Sequence, residues 1–278
     1  MIQTICICGA GTMGSGIAQA AASSGFYTIL YELNDAALEK AKSGIEKNLQ
    51  TLVEKNKITE TAKEATLNNL HFTNDLFQCL ADVIIEAIIE KPEAKIALFN
   101  QLAEINHSET VFASNTSSLS VTEIAKGVKN PERVIGMHFF NPVTIMKLAE
   151  VVRTEITNDQ TTDMIIELAK QLGKVPVLCK DTPGFIVNRV ARPFYIESLR
   201  LFENDLAGIS TIDTLMESSG FKMGPFRLMD MIGNDVNYAV SCSLYDQLGK
   251  PDRLKPSSIQ KEKVEKGELG KKTGKGYY

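Results

Sequence analysis

The sequence has no excess of basic charge. Over 278 residues, 30 Lys and Arg face 34 Asp and Glu, giving a formal net charge of −4; no basic face is concentrated anywhere, which argues against nucleic acid as the main partner, because phosphate binding draws on clustered cations. It also lacks a disulfide framework. Cys6, Cys8, Cys79, Cys179 and Cys242 are odd in number and scattered, as expected in a reducing compartment. Cys6 and Cys8 alternate within an apolar strand pattern with no second ligand pair, so they are expected as buried small side chains, and no metal site is expected. No apolar run reaches membrane length, and no charged leader with a cleavage site precedes the first strand. The expectation is a cytoplasmic protein without membrane attachment. What remains, 44% hydrophobic and 23% charged, is globular composition sufficient for one large or two medium domains.

The N-terminal stretch reads as strand, glycine turn, helix. Ile2 to Cys8 is apolar and runs into Gly9-Ala10-Gly11-Thr12-Met13-Gly14, and the alanine-rich segment from Ser15 to Ser24 has helical character. In that context Gly9 serves the tight turn, Gly11 the close approach of a pyrophosphate and Gly14 the packing of helix on strand. The helix N-terminus then offers backbone N–H groups and a positive dipole end to the phosphates. A second strand, Tyr27 to Tyr31, ends at Glu32, 18 residues after Gly14. A carboxylate there is expected to bind the adenosine ribose hydroxyls and to repel a 2′-phosphate, which predicts NAD over NADP.

Asp35 is placed to cap a helix from Ala36 to about Lys55, with Leu38, Ala41, Ile45, Leu49, Leu52 and Val53 on one face. A shorter helix, Thr59 to Asn69, folds back on it. Lys40, Lys42, Lys47, Lys55 and Lys57 form either a solvated face or a contact for the phosphates of a large acidic substrate. The run from Ala81 to Glu90 has the apolar character of a buried parallel strand and leads into a helix with Pro92 in its first turn. Glu90 and Lys95 therefore stand either on the cofactor side of a strand end or as plain surface charges. A further strand, Thr110 to Ala113, delivers Ser114-Asn115-Thr116-Ser117-Ser118, which serves either as a helix cap or as hydroxyl and amide groups for a nicotinamide or a substrate oxygen.

Two β-rich segments, Arg133 to Phe140 and Ile145 to Val152, flank a turn at Asn141-Pro142-Val143-Thr144. If they pair as antiparallel strands about a centre near Thr144, His138 and Glu150 fall opposite each other on one face. That arrangement makes a His–carboxylate dyad, in which the carboxylate fixes the imidazole tautomer and stabilises the imidazolium. A helix from Thr161 to Leu172 and a last strand from Val175 to Cys179 follow, and Asp181-Thr182-Pro183-Gly184 breaks the pattern. Beyond it, Phe185 to Asn204, Thr211 to Ser219 and Pro225 to about Leu248 read as helices. Asn188 opens the first of these. The segment from Gly267 to Tyr278 has the composition of a flexible basic end.

These blocks, in this order, resemble the short-form bacterial L-3-hydroxyacyl-CoA dehydrogenase family of the 3-hydroxybutyryl-CoA dehydrogenase type. The resemblance runs through Gly9 to Gly14, Glu86 to Glu90, Ser114 to Ser118, Gly136 to Pro142 with Glu150, Pro183 to Arg189, Gly224-Pro225-Phe226 and the Gly270 to Tyr277 tail. It implies an α/β fold: a Rossmann-type, mainly parallel NAD-binding domain over 1–182 with a helix-pair insertion at about 36–69, and an all-helical substrate and dimerisation domain over 183–278. It implies NAD-dependent interconversion of (S)-3-hydroxyacyl-CoA and 3-oxoacyl-CoA, with an acyl-CoA substrate and a homodimer. His138 becomes the general base, Glu150 its partner, and Ser117 and Asn188 the groups that hydrogen-bond the reacting oxygen or the thioester carbonyl. Gly9, Gly11, Thr12, Met13, Gly14, Glu32, Glu90, Lys95 and Asn115 fall to the cofactor, and Asn48 and Lys55 to the acyl-CoA. Ala149 replaces a larger aliphatic residue usual beside the dyad. A dehydrogenase of a non-CoA hydroxy or sugar acid and a non-catalytic NAD-binding protein are the competing readings.

Overall fold

The computed structural model describes residues 2–278. The chain divides into two compact units, one ending at Asp181 and the other spanning Thr182–Tyr278.

The first unit is built on an eight-stranded sheet. Its strands are β1 (Thr4–Cys8), β2 (Tyr27–Tyr31), β3 (Leu70–Thr73), β4 (Val83–Glu86), β5 (Val111–Ser114), β6 (Val134–Phe139), β7 (Leu148–Arg153) and β8 (Val175–Lys180), in the order β3-β2-β1-β4-β5-β6-β7-β8. Every neighbouring pair is parallel except β6 with β7. The central strands are apolar runs because helices cover both faces of a parallel sheet. Helices α1 (Thr12–Ser23), α2 (Asp35–Glu54), α3 (Glu60–Asn68), α4 (Pro92–Ile105), α5 (Val121–Lys126) and α6 (Asp159–Gln171) fill the connections. Ile17, Ala18 and Ala21 of α1, Leu38, Ala41, Ile45 and Leu49 of α2, and Ile165 and Leu168 of α6 share one core with Ile5, Ile7, Val83 and Ile85. Strand order reverses at β1, between β2 and β4, and ligands of open α/β sheets bind outside the carboxyl ends at such a point.

Several local expectations shift. The cap of α2 is Asn34, whose side chain accepts from the Ala37 N–H at 2.9 Å; Asp35 instead stands in the first turn, where its charge meets the positive end of the helix dipole. Strand β3 is an edge strand of four half-buried and buried residues, too short and too polar to announce itself by alternation. Helix α5 is likewise only six residues long.

The second unit is helical: α7 (Val187–Glu203), α8 (Ile209–Ser218), α9 (Pro225–Ile232), α10 (Asn234–Gln247) and α11 (Ser258–Glu265). The segment expected as one helix from Pro225 to Leu248 is two, because Gly233 takes φ +106 between them, a conformation closed to most L-residues. The tail is not floppy. Gly270 bridges to Lys275, and the backbone N–H groups of Tyr277 and Tyr278 donate to the Asp230 carboxylate at 2.8 and 3.0 Å. The Tyr277 ring packs edge-on against Phe226, 5.0 Å away, at the core formed with Tyr195, Leu199, Ile212 and Met229.

Candidate active site

The glycine turn between β1 and α1 shows three separate constraints. Gly9 has φ +102, and a Cβ there would lie 2.7 Å from the Ala87 carbonyl oxygen on the neighbouring strand end. A Cβ on Gly14 would sit 1.7 Å from the Gly9 carbonyl oxygen, so the helix can close on the turn only with glycine. At Gly11 a Cβ would meet nothing within 4 Å. The space above Gly11 is open, and no side chain caps α1, so its first N–H groups face a cradle that suits a pyrophosphate. Thr12 starts the helix at this cradle; Met13 packs its side chain against the core and offers only its backbone.

Glu32, at the end of β2, holds the rim of the same cradle. Its two carboxylate oxygens accept from the Ala10 N–H at 3.0 Å and the Asn34 N–H at 3.1 Å. A cavity of about 540 Å3 runs from Ala10, Gly11 and Thr12 past Glu32 to Lys40 and Asn48 of α2 and to Asn141–Thr144. Asn48 donates to Oε1 of the buried Gln19 at 2.8 Å, and both line the cavity. Lys55 is exposed at the C-terminal end of α2, outside that lining. Among the lysines of the helix pair, Lys40 alone lines the cavity.

At the ends of β4 and β5 lies a buried ionic network. Lys95 is 1% exposed, so it is no surface lysine; its Nζ lies 2.6 Å from Glu86 and 3.1 Å from Glu90. Glu86 also accepts from Ser114 Oγ and the Ile88 N–H, both at 2.7 Å. Burial pushes the Glu86 carboxyl up from its ordinary value. For Glu90, burial would also raise the value, but the Lys95 charge and the hydrogen bonds from Thr116 and Ser117 outweigh it and hold the carboxyl down. Glu90 thus accepts from the Thr116 hydroxyl and from the Ser117 N–H at 3.1 Å. It positions the loop that carries Ser117, and Lys95 positions Glu90.

The dyad follows from register. His138 on β6 is paired directly with Glu150 on β7, and Nδ1 of the imidazole lies 2.8 Å from Oε2 of the carboxylate. Both are buried. Asn115 Oδ1 accepts from the Phe139 N–H at 2.9 Å, fixing the strand end that bears His138. The loop after it is pinned by Lys174, which no sequence signal singles out: its Nζ donates to the Val143 and Met146 carbonyls. Burial lowers the Lys174 pKa. Ala149 is fully buried next to Glu150, with the pairing intact. Asn188 sits in the first turn of α7 in the helical unit. Among the described residues no group of His, Cys, Asp or Glu is arranged to hold a metal, and no helix is long and apolar enough to cross a membrane.

A dinucleotide cradle on a doubly wound sheet, with a buried His–Glu pair on the same sheet, defines an NAD-linked dehydrogenase. Residues 4–182 match the family model of the 3-hydroxyacyl-CoA dehydrogenase NAD binding domain, and residues 184–278 match that of the 3-hydroxyacyl-CoA dehydrogenase C-terminal domain. The chain belongs to the 3-hydroxyacyl-CoA dehydrogenase family. It is 47% identical, over its whole length, to the 3-hydroxyadipyl-CoA dehydrogenase of Escherichia coli, of which it spans 59%. It is 41% identical to a probable 3-hydroxybutyryl-CoA dehydrogenase of Deinococcus radiodurans, covering 98% of each chain. The crystal structure of (S)-3-hydroxybutyryl-CoA dehydrogenase from Ralstonia eutropha superposes with a TM-score of 0.95 at 38% identity, covering 100% of this chain and 99% of that one.

Proposed function

We propose that the protein interconverts (S)-3-hydroxyacyl-CoA and 3-oxoacyl-CoA, with 3-hydroxybutyryl-CoA as a substrate and His138 as the general acid and base. The observation that carries this is the buried pair of His138 and Glu150 at 2.8 Å, on the same sheet as the dinucleotide cradle. With Nδ1 engaged by Glu150, proton exchange with the 3-hydroxyl falls to Nε2. The Glu150 carboxylate stabilises the imidazolium that forms, in the manner of carboxylates that orient catalytic histidines. The bound nicotinamide supplies the acceptor or donor of the hydride at C3. Ser117, held through its backbone by Glu90, binds the reacting oxygen, and Asn188 is assigned the same oxygen or the thioester carbonyl. Glu32 binds the adenosine ribose once its carboxylate exchanges a backbone N–H for a hydroxyl. Asn48 and Lys40 line the side of the cavity that the coenzyme A phosphates and the dinucleotide would approach; Lys55 serves only at the outer end of the helix pair.

The same reading takes the two units as the nucleotide-binding and the substrate and dimerisation domains, with the boundary at 182/183. Exposed Phe221, Met231, Ile232 and Val236 in the helical unit support a homodimer, which light scattering on the purified protein tests. Five free cysteines suit the cytoplasm.

The deciding experiment is oxidation of NADH with acetoacetyl-CoA by the wild type and by His138→Ala, with NADPH in parallel. Turnover with NADH that drops by about 10²–10⁴-fold in the variant is expected, with NADH affinity little changed. Near-normal turnover of the variant would remove His138 from the mechanism, and no turnover of any acyl-CoA by the wild type would favour a non-CoA hydroxy acid.

A further inference from the structure

A dinucleotide seated on the turn between β1 and α1 has one direction in which to reach the buried histidine. The strands run in the order β1-β4-β5-β6, with His138 on β6. Neighbouring strands lie about 4.8 Å apart, so the two ends of that path are separated by about 14 Å. A nicotinamide that exchanges a hydride beside His138 therefore lies over the carboxyl ends of β4 and β5. Those ends carry the network of Glu86, Glu90 and Lys95 and the loop from Ser114 to Ser118.

The network is not neutral. One ammonium stands between two carboxylates, 2.6 Å from Glu86 and 3.1 Å from Glu90, and among the described residues no other cation is within ion-pair distance of either. Glu86 is sealed from solvent, with its oxygens taken by Lys95, the Ile88 N–H and Ser114 Oγ. Glu90 is the member that opens outward. Its side chain is 38% exposed, and its Oε1 accepts from the Thr116 hydroxyl and the Ser117 N–H. Burial alone would raise its carboxyl, but the Lys95 charge and the hydrogen bonds from Thr116, Lys95 and Ser117 hold it below the ordinary value, so it is ionised at neutral pH.

Holding the loop does not require that charge, since a glutamine oxygen accepts the same two hydrogen bonds. What a carboxylate adds is a field. The nicotinamide ring is a cation when oxidised and neutral when reduced, and fixed charge beside a cofactor ring tunes its electronics. A carboxylate there stabilises the oxidised form and leaves the reduced one almost untouched.

We propose that Glu90 makes the nicotinamide site select the oxidation state of its cofactor, favouring NAD+ over NADH through the uncompensated carboxylate of the network of Glu86, Lys95 and Glu90. This deepens, and rests on, the reading of the chain as an NAD-linked dehydrogenase with His138 at the hydride-transfer end. The consequence is regulatory. NADH, the product of hydroxyacyl oxidation, competes less well for the free enzyme, which stays loaded for oxidation at a lower ratio of NAD+ to NADH.

The test is binding, without acyl-CoA. Kd values for NAD+ and for NADH are measured by calorimetry on the nucleotide-free wild type, Glu90→Gln and Glu90→Asp. Taking the ratio of the two Kd values in each variant against that in the wild type cancels the Glu150 carboxylate and every other charge left in place. Glu90→Gln should raise Kd for NAD+ about 5–30-fold more than Kd for NADH, the scale of one nearby charge in a partly solvated site. Glu90→Asp keeps the charge, so its two Kd values should move together and their ratio stay near that of the wild type. An unchanged ratio in Glu90→Gln, whether both affinities fall together as a loosened loop would make them or neither moves, overturns the proposal. So does a ratio in Glu90→Asp as altered as that in Glu90→Gln. Failure of the acyl-CoA reading looks different: the wild type would turn over no 3-hydroxyacyl-CoA, while the shift in the binding ratio stood.

Discussion

His138 and Glu150 face each other across the single antiparallel step of the sheet, in direct register, with 2.8 Å between Nδ1 and Oε2. In such a pair the side chains share one face at close range, and burial on both sides removes the water that would otherwise compete. The charge of Glu150 should therefore matter as much as its shape. Glu150→Gln keeps a hydrogen-bonding group of the same length but no negative charge for the imidazolium. Its turnover with acetoacetyl-CoA should fall by about 10²-fold or more. Circular dichroism and NADH binding should stay near those of the wild type; unchanged turnover would reduce Glu150 to a packing residue.

Two glycines of the same turn should fail in opposite ways. A Cβ on Gly14 collides with the Gly9 carbonyl at 1.7 Å, whereas one on Gly11 meets nothing within 4 Å. Gly14→Ala must separate helix from turn and should lose about 1–3 kcal/mol of stability in urea titration, the scale of overpacking a tight site. Gly11→Ala should unfold like the wild type yet raise the Kd for NADH, because its methyl occupies the space the pyrophosphate needs. Weak binding without lost stability in Gly14→Ala, or the reverse in Gly11→Ala, would exchange their roles.

The fold was legible where periodicity and turn chemistry agree. The pattern from β1 through Gly14 to α1, the α2 face of Leu38, Ala41, Ile45 and Leu49, and the pairing of His138 with Glu150 all follow from spacing of two or about 3.6 residues. Strand β3 escaped because four residues at a sheet edge carry no pattern, and the break at Gly233 because an interior glycine reads the same whether it bends a helix or sits in one. The role of Lys95 was hidden for a different reason. Nothing local says that a lysine is buried; only the meeting of β4, β5 and α4 encloses it between Glu86 and Glu90. Lys174 is hidden in the same way, since its partners are backbone carbonyls distant in sequence.

Lys174 ties down the loop that forms one wall of the nucleotide cavity. Its Nζ holds the Val143 and Met146 carbonyls, and Val143 rests against Gly16 of α1, whose added Cβ would come within 3.0 Å of it. Lys174→Met removes both hydrogen bonds while keeping the length of the stem. The loop should loosen, with KM for NADH rising about tenfold, the scale of a charge-assisted hydrogen bond, and kcat changing less. Lys174→Arg should recover part of the loss. A fall in kcat alone would mean that the loop serves chemistry more than nucleotide binding.

Glu90 should mark the acid limb of stability. Its carboxyl is held below the ordinary glutamate value, so the unfolded chain binds the proton more readily than the folded one. Its contribution is present above the unfolded pKa, near pH 4, and is lost as pH falls through the lower folded value. Glu86 has its pKa raised and works in the opposite sense. Glu90→Gln should therefore flatten the dependence of Tm on pH in the acid range below pH 4; the change should be modest, because the Glu90 side chain is 38% exposed and solvent screens the pair. An unchanged slope would show that Lys95 does not favour Glu90 once Glu86 is satisfied.

The last two backbone N–H groups of the helical unit's tail share one carboxylate. Asp230 accepts from the N–H groups of Tyr277 and Tyr278 and from Nδ2 of Asn234 at 3.0 Å, and its carbonyl accepts from the Lys271 N–H at 2.8 Å. The fit is close enough that a Cβ on Gly276 would lie 2.0 Å from an Asp230 carboxylate oxygen. Removing the carboxylate in Asp230→Ala leaves the N–H groups of Tyr277 and Tyr278 without this acceptor, at a cost of about 1–3 kcal/mol for each that stays buried. The chain should instead release the tail, which carries Lys271, Lys272 and Lys275. Limited trypsin digestion should then cut there several times faster than in the wild type, while the α7 to α10 core stays intact. Gly276→Ala should do the same with the Asp230 carboxylate still in place, because the methyl and the carboxylate cannot share that space. A tail equally resistant in both variants would mean that the packing of Tyr277 on Phe226, at 5.0 Å, holds it without the carboxylate.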